Sequence, residues 1–142
     1  MSGHSHHDPI VVTHDGGLRF AAQVRSHRVI VDQPRGAGGL DSAPMPVEML
    51  GVSLGTCIAL YVQQFCQARG LSSDEMRVEV DQIGARNPNR VGQFVVRVVL
   101  GQPLPSAYAE MLERVVRSCP AHNTLEHGAE VSVHIETPVP VP

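Results

Sequence analysis

Hydrophobic residues along the chain change from strand-like spacing to helical spacing and back, and those changes delimit the elements. Between Ile10 and Asp32, the segments "IVVTH", "LRFAAQVR" and "HRVIVD" are rich in β-branched residues and partly alternate, which predicts a strand meander. Gly16-Gly17 supply the positive φ of a tight turn between the first two strands. The following "QPRGAGGLDSAPMP" holds Pro and Gly at a density that excludes regular structure, and its length suits a functional loop as well as a connector. Pro46 fits the first turn of a helix, Glu48 places a negative charge at its positive end, and Gly70 fits its C-terminal cap.

Within that helix Leu50, Leu54, Ile58, Tyr61 and Phe65 form one stripe, and Val52, Cys57, Leu60 and Val62 widen the apolar surface. A helix apolar on nearly every side must be enclosed by other structure. Gly51 and Gly55 leave a smooth strip against which another backbone can press. Beyond it, "MRVEVDQIGAR" and "GQFVVRVVLG" alternate as strands around the turn residues "NPNR". Pro105 to Ser118 reads as an amphipathic helix with Tyr108, Met111, Leu112 and Val115 on one side. "EVSVHIE" reads as a last strand, and the proline-heavy "TPVPVP" cannot continue a ladder. The predicted class is α+β: strand meander, long central helix, two strands, helix, strand.

A chain of 142 residues fits one domain, expected over 10–137 between a His-rich tail at 1–9 and a Pro-rich tail at 138–142. With 11 Lys+Arg against 14 Asp+Glu there is no basic footprint for nucleic acid. Aromatic content of 4% without Trp gives no base-stacking platform and no aromatic membrane belt. The uncharged run Met49 to Ala68 raises the question of a membrane span, but Ser53, Thr56, Gln63, Gln64 and Gln67 dilute it, so a buried helix is expected. Cysteines number 3, an odd count without a leading apolar segment, which points to a reducing, cytoplasmic setting rather than a disulfide framework. Should the starting Met be removed, Ser2-Gly3-His4 could wrap a square-planar Cu(II) or Ni(II); the alternative is a solvated tail without a role.

The cysteines are the candidate chemistry. In "RVVRSCPAHNTLEHG", Pro120 suits a first helical position, so Cys119 reads as the N-cap of a short turn through Leu125. Unpaired N–H groups and the dipole at that place are expected to lower its pKa; the alternative is an inert buried Cys. Cys66 follows Cys57 by nine positions, and at about 100° per residue it falls on the opposite side of the same helix, as packing. His122 is a candidate to polarise a thiol or donate to a peroxide oxygen, or else only to cap the short helix; Thr124 reads as structural. "CPAH" also has tolerable spacing for zinc with Cys119 and His122, but no second Cys/His pair accompanies it.

Taken together, the meander, "PMPVEML", a long apolar helix containing "LGTC" and a later "CPAHNTL" resemble the OsmC/Ohr superfamily, the osmotically inducible and organic-hydroperoxide-resistance proteins. The resemblance spans about Leu18 to Glu136. It implies an intertwined homodimer with sites at the subunit interface and with the Gly51/Gly55 helix buried by dimerisation. It further implies that Cys57 is the peroxidatic thiol, that Cys119 resolves its sulfenic acid into a disulfide, and that the substrate is an alkyl or lipid hydroperoxide. The implied reductant is a dithiol, such as a lipoyl protein, with no metal or bound cofactor. A thiol in an apolar pocket needs a nearby cation to ionise. By resemblance an arginine from the preceding loop does this, held by a carboxylate that follows a proline ten positions before the first cysteine. Here Val47 fills that slot and Glu48 stands one position later, about 100° around the helix. Arg35, in the glycine-rich loop before the helix, is the candidate cation or else simply a solvated loop arginine; Arg28 on a strand is a weaker candidate, and Glu48 is the candidate holder. The alternative function is a redox-sensing or apolar-ligand-binding module that uses the same thiols without efficient turnover.

Overall fold

The computed structural model describes residues 8–139 and 142. Ser2, Gly3 and His4, with the metal site envisaged for them, lie outside the described residues. The elements, in order, are β1 (Val11–His14), β2 (Phe20–Val24), β3 (His27–Val31), a 3-10 turn at Arg35–Ala37, α1 (Pro46–Ala68), β4 (Arg77–Ala85), β5 (Arg90–Val99), α2 (Ser106–Arg117) and α3 (Pro120–His127). The class is α+β, as the hydrophobic pattern predicts. The chain divides into two compact units: one runs through Gly55 and takes in Glu79–Arg97, and the other comprises Thr56–Val78 and the chain from Val98 onward.

In the first unit β1, β2 and β3 form an antiparallel meander in that order, with Val12 opposite Ala22 and Ala22 opposite Val29. Gly16 and Gly17 turn the chain at φ of 98° and 55°, as the sequence requires. The Gly/Pro-rich loop that follows is pinned rather than loose. Asp32 is 1% exposed, and its carboxylate accepts hydrogen bonds from the Gln33 N–H at 2.8 Å, the Ser42 N–H at 3.0 Å and the Ser42 hydroxyl at 2.6 Å. Gly39 lies so close to Gln33 that a Cβ there would sit 1.9 Å from the Gln33 carbonyl oxygen, so only glycine fits.

Helix α1 starts as its sequence dictates. The Glu48 carboxylate reaches back to the Met45 N–H at 2.8 Å, one half of a capping box. It stops on the Schellman pattern, with the Leu71 N–H on the Cys66 carbonyl at 2.9 Å, the Gly70 N–H on the Gln67 carbonyl at 3.3 Å and Gly70 at φ 65°. By length and composition α1 passes as a membrane span. Yet Leu54, Ile58, Val62, Phe65 and Cys66 are buried within the protein. The glycine strip packs on β4 of the same chain, not on another backbone: a Cβ at Gly51 would meet Gln82 Oε1 at 2.5 Å, and one at Gly55 would meet Val80 Cγ2 at 3.1 Å. Gln82 in turn donates to the Val47 carbonyl at 3.0 Å.

In the second unit the core comprises Ile58, Val62, Phe65, Cys66, Leu112 and Cys119. Burying each large aliphatic or aromatic side chain contributes about 1.5–3 kcal/mol. Phe65 meets Tyr108 of α2 edge to face, with centroids 6.1 Å apart. The expected enclosure of α1 is incomplete in one chain, since Leu50 and Leu60 remain 43% and 53% exposed. The expected last strand is absent as well. Residues 130–136 carry no regular structure, and Val131, Val133 and Ile135 are 81%, 77% and 87% exposed. An alternating segment becomes a strand only where a sheet edge accepts its backbone hydrogen bonds.

The hydrogen bonds on Asp32 hold its pKa down at about 2, with the Ser42 hydroxyl as the largest cause. A depressed folded-state pKa stabilises fully above the ordinary value near 3.8, and that contribution is lost as pH falls through about 2. Chemical denaturation between pH 5 and pH 2 should therefore show a loss of stability on acidification that is smaller in Asp32→Asn; equal slopes in the two proteins would remove Asp32 from the acid transition.

Candidate functional site

The second unit brings two of the sequence-predicted residues, Cys57 and Cys119, together. Cys57 is the second residue of that unit's part of α1, directly before buried Ile58, and is half-buried. Cys119 arrives from the other direction because α2 ends at Arg117 and Pro120 begins α3. Proline at the first helical position loses no hydrogen bond, because that N–H is unpaired in any helix. The extended backbone of Cys119 (φ −64°, ψ 137°) then turns its sulfur back over the helix start. There Cys119 Sγ accepts the His122 N–H at 3.2 Å. Cys119 is fully buried, and its thiol is close enough to that of Cys57 for the two to influence each other. Cys66 is buried elsewhere on α1 and takes no part.

The electrostatics of Cys119 reverse the sequence expectation. Burial pushes its thiol up; the His122 and Ala121 N–H groups pull it down, and proximity to Cys57 adds to the rise. Desolvation wins because the site is dry, whereas a cap in contact with water would leave the N–H groups dominant. Cys119 is thus a protonated thiol at rest, held in place by a cap.

His122 has an arrangement of its own on α3. Its Nε2 lies 3.2 Å from Glu126 Oε2, while its Nδ1 is buried and has no hydrogen-bond partner among the described residues. An ionised carboxylate only accepts, so in the neutral ring Nε2 carries the proton and Nδ1 is a bare acceptor. Leaving such an atom dry and unpaired costs about 1–3 kcal/mol. Sequence reading singled out His122 but missed Glu126; the signal was their i, i+4 spacing on a short helix.

The remaining candidates lie in the first unit. Arg35 opens the 3-10 turn of the pinned loop; its side chain is exposed and carries no hydrogen bond or ion pair among the described residues. Arg28 is engaged with Asp15 at 3.2 Å, and Asp15 also accepts from Arg19 at 2.8 Å. Glu48 is exposed and bonded to the Met45 N–H, so the nearest use of its carboxylate is to cap its own helix. Together with Arg90, Asp81 and Gln82 it lines an open cleft of about 580 Å³. Among the described residues no three His, Cys, Asp or Glu side chains converge as metal ligands.

Chemically, two adjacent thiols, one reachable from solvent and one buried, can lose two electrons and become one disulfide. Comparison with known proteins gives the family and the fold. Residues 39–134 match the family model of OsmC-like proteins. Among solved structures, a candidate osmotic-stress-induced and detoxification-response protein of Psychrobacter arcticus superposes with a TM-score of 0.74 at 22% identity, over 81% of this chain and 85% of that one. An OsmC-like protein of Mycoplasma pneumoniae gives 0.63 at 21% identity, over 87% and 89%. An organic hydroperoxide resistance protein OsmC of Legionella pneumophila gives 0.53 at 17% identity, over 83% and 89%. At these identities the likeness carries the fold. No curated protein matches the chain. With two-thirds of its length covered by the family model and its fold shared with these structures, the chain is a member of the OsmC-like protein family.

Proposed function

We infer that the protein is a cytoplasmic thiol peroxidase for organic hydroperoxides. The proximity of the Cys57 and Cys119 thiols is the observation that carries this reading. In the proposed cycle the Cys57 thiolate attacks the outer oxygen of an alkyl or lipid hydroperoxide. The O–O bond breaks, Cys57 becomes a sulfenic acid, and the alkoxide takes a proton and leaves as the alcohol. Cys119 then attacks the sulfenic sulfur; its proton and the departing hydroxide leave as water, and a disulfide remains. A dithiol, such as a lipoyl protein, exchanges with that disulfide, restoring both thiols and closing its own ring. The half-buried position of Cys57 on a helix rich in apolar residues suits an apolar peroxide better than hydrogen peroxide.

With a dithiol reductant, the protein should consume organic hydroperoxide over many turnovers, Cys57→Ser should abolish consumption, and Cys119→Ser should stop after one equivalent per chain. A non-reduced digest of oxidised protein should yield a Cys57–Cys119 peptide pair with Cys66 still a thiol. Consumption that stops at one equivalent in the unmodified protein would instead support the redox-sensing or ligand-binding alternative, which the use of Glu48 as a helix cap favours.

The roles of Arg35 as activating cation and Glu48 as its holder rest on the family resemblance, supported by the absence of any ion pair on Arg35 among the described residues. Arg35→Ala should slow Cys57 oxidation by about tenfold or more, and Arg35→Lys should recover part of it. Unchanged oxidation in Arg35→Ala would assign the cation elsewhere.

A second copy of the chain is the proposed cover for the exposed apolar surface. Leu50 and Leu60 of α1 and the alternating Val131, Val133 and Ile135 are left to water by one chain, and residues 130–136 have strand character without a sheet edge. Sedimentation should give a dimer; a monomer at micromolar concentration would refute this part of the reading.

A further inference from the structure

Resolution of the sulfenic acid requires Cys119 to lose a proton, and its surroundings oppose that loss. The sulfur is fully buried, and the cap N–H groups do not offset desolvation. A base is needed within reach of the helix start. His122 belongs to the same turn, with its N–H already on Cys119 Sγ at 3.2 Å. Its ring is tethered through Nε2 to Glu126 at 3.2 Å, which fixes the tautomer, and the freed Nδ1 is buried with no donor among the described residues. A carboxylate that orients an imidazole and leaves its other nitrogen as a desolvated base is the arrangement general-base catalysis uses.

We propose that His122, oriented by Glu126, is the general base that takes the proton from Cys119 as its sulfur attacks Cys57. Nδ1 meets its missing donor during turnover, when the two sulfurs close to bonding distance. In the peroxide reaction the S–H proton passes to Nδ1 and on to the hydroxide leaving the Cys57 sulfenic acid, so that water departs and the imidazole returns to its neutral form. Glu126 acts through His122 and is a positioning residue.

This assignment rests on the Cys57–Cys119 disulfide in the reading above, and it can be tested without any peroxide. The aromatic disulfide dithionitrobenzoate reacts first at the more accessible Cys57, giving a mixed disulfide and one coloured thionitrobenzoate. Cys119 then attacks the Cys57 sulfur, expels the second thionitrobenzoate and yields the intrachain disulfide. The reagent is reduced to two thiolates, the two cysteines are oxidised, and the Cys119 proton goes to His122. Stopped-flow absorbance separates the phases, and Cys119→Ser identifies the second by deleting it.

In His122→Ala the ratio of second-phase to first-phase rate should fall on the order of a hundredfold, and added imidazole should restore part of it. His122→Gln retains a side-chain donor for Glu126 but no base, and should fall as far without the imidazole response. Glu126→Gln should fall less than either. A wild-type ratio in His122→Ala or His122→Gln overturns the assignment, as does a fall in His122→Ala that imidazole leaves untouched, which would make the role structural. A protein that shows the two phases with this His122 dependence yet fails to turn over hydroperoxide would retain the base and lose the peroxidase reading. One that reduces hydroperoxide with a ratio indifferent to His122 would do the reverse.

Discussion

The site depends on one capping interaction, the His122 N–H on the sulfur of Cys119 at the start of α3. Serine or asparagine would cap that helix more strongly. A sulfur in the role gives up capping strength and gains a nucleophile whose position is fixed by backbone geometry rather than by a flexible side chain. Pro120 fixes the helix start, the extended Cys119 backbone aims the Cβ, and the sulfur is fully buried. The same dryness raises the thiol pKa. Placement and acidity therefore pull in opposite directions, and a base beside the cap reconciles them.

The first unit shows how a loop dense in glycine and proline becomes a fixed structure. Its irregular backbone cannot satisfy itself as a helix or strand does, and the buried Asp32 carboxylate supplies acceptors at the loop's two ends, Gln33 and Ser42. Asp41 closes the loop with its N–H on the Gln33 carbonyl at 3.0 Å, across the point where Gly39 leaves no room for a side chain. The loop's backbone is thereby determined while the Arg35 side chain stays unpaired among the described residues.

Elements set by local chemistry were legible in the sequence. The Gly16-Gly17 turn, the Pro46 start and Gly70 stop of α1, the β4 and β5 strands and the Cys119-Pro120 cap each follow from what a few adjacent residues can or cannot do. What failed depended on partners. An alternating "EVSVHIE" states which face of a strand is apolar but not which edge will receive it, and within one chain none does. Gly51 and Gly55 announced a close approach, but Gln82 and Val80 of β4 filled it, a choice made by packing between elements distant in sequence. The direction of the Cys119 pKa does not follow from the cap alone: residue identity reports the capping N–H groups, while the burial that outweighs them is a property of the folded chain. Glu48 was legible as a charge at a helix start; whether it holds an arginine or its own helix is a matter of rotamer, which spacing does not encode.

In the cycle we propose, the unequal burial of the two thiols would also bear on the return half. A reductant arriving from solvent meets the half-buried Cys57 before the buried Cys119, so it attacks the Cys57 sulfur and Cys119 is the leaving group. A leaving thiol departs faster the lower its pKa, and burial holds that of Cys119 up. The feature that keeps Cys119 from attacking too early therefore also keeps it from leaving easily. A neighbour able to take a proton in one direction and return it in the other relieves both steps. On α3 the residue of that kind touching the cap is His122, and its unpaired nitrogen gives the fold a reason to accept the cost of burying it.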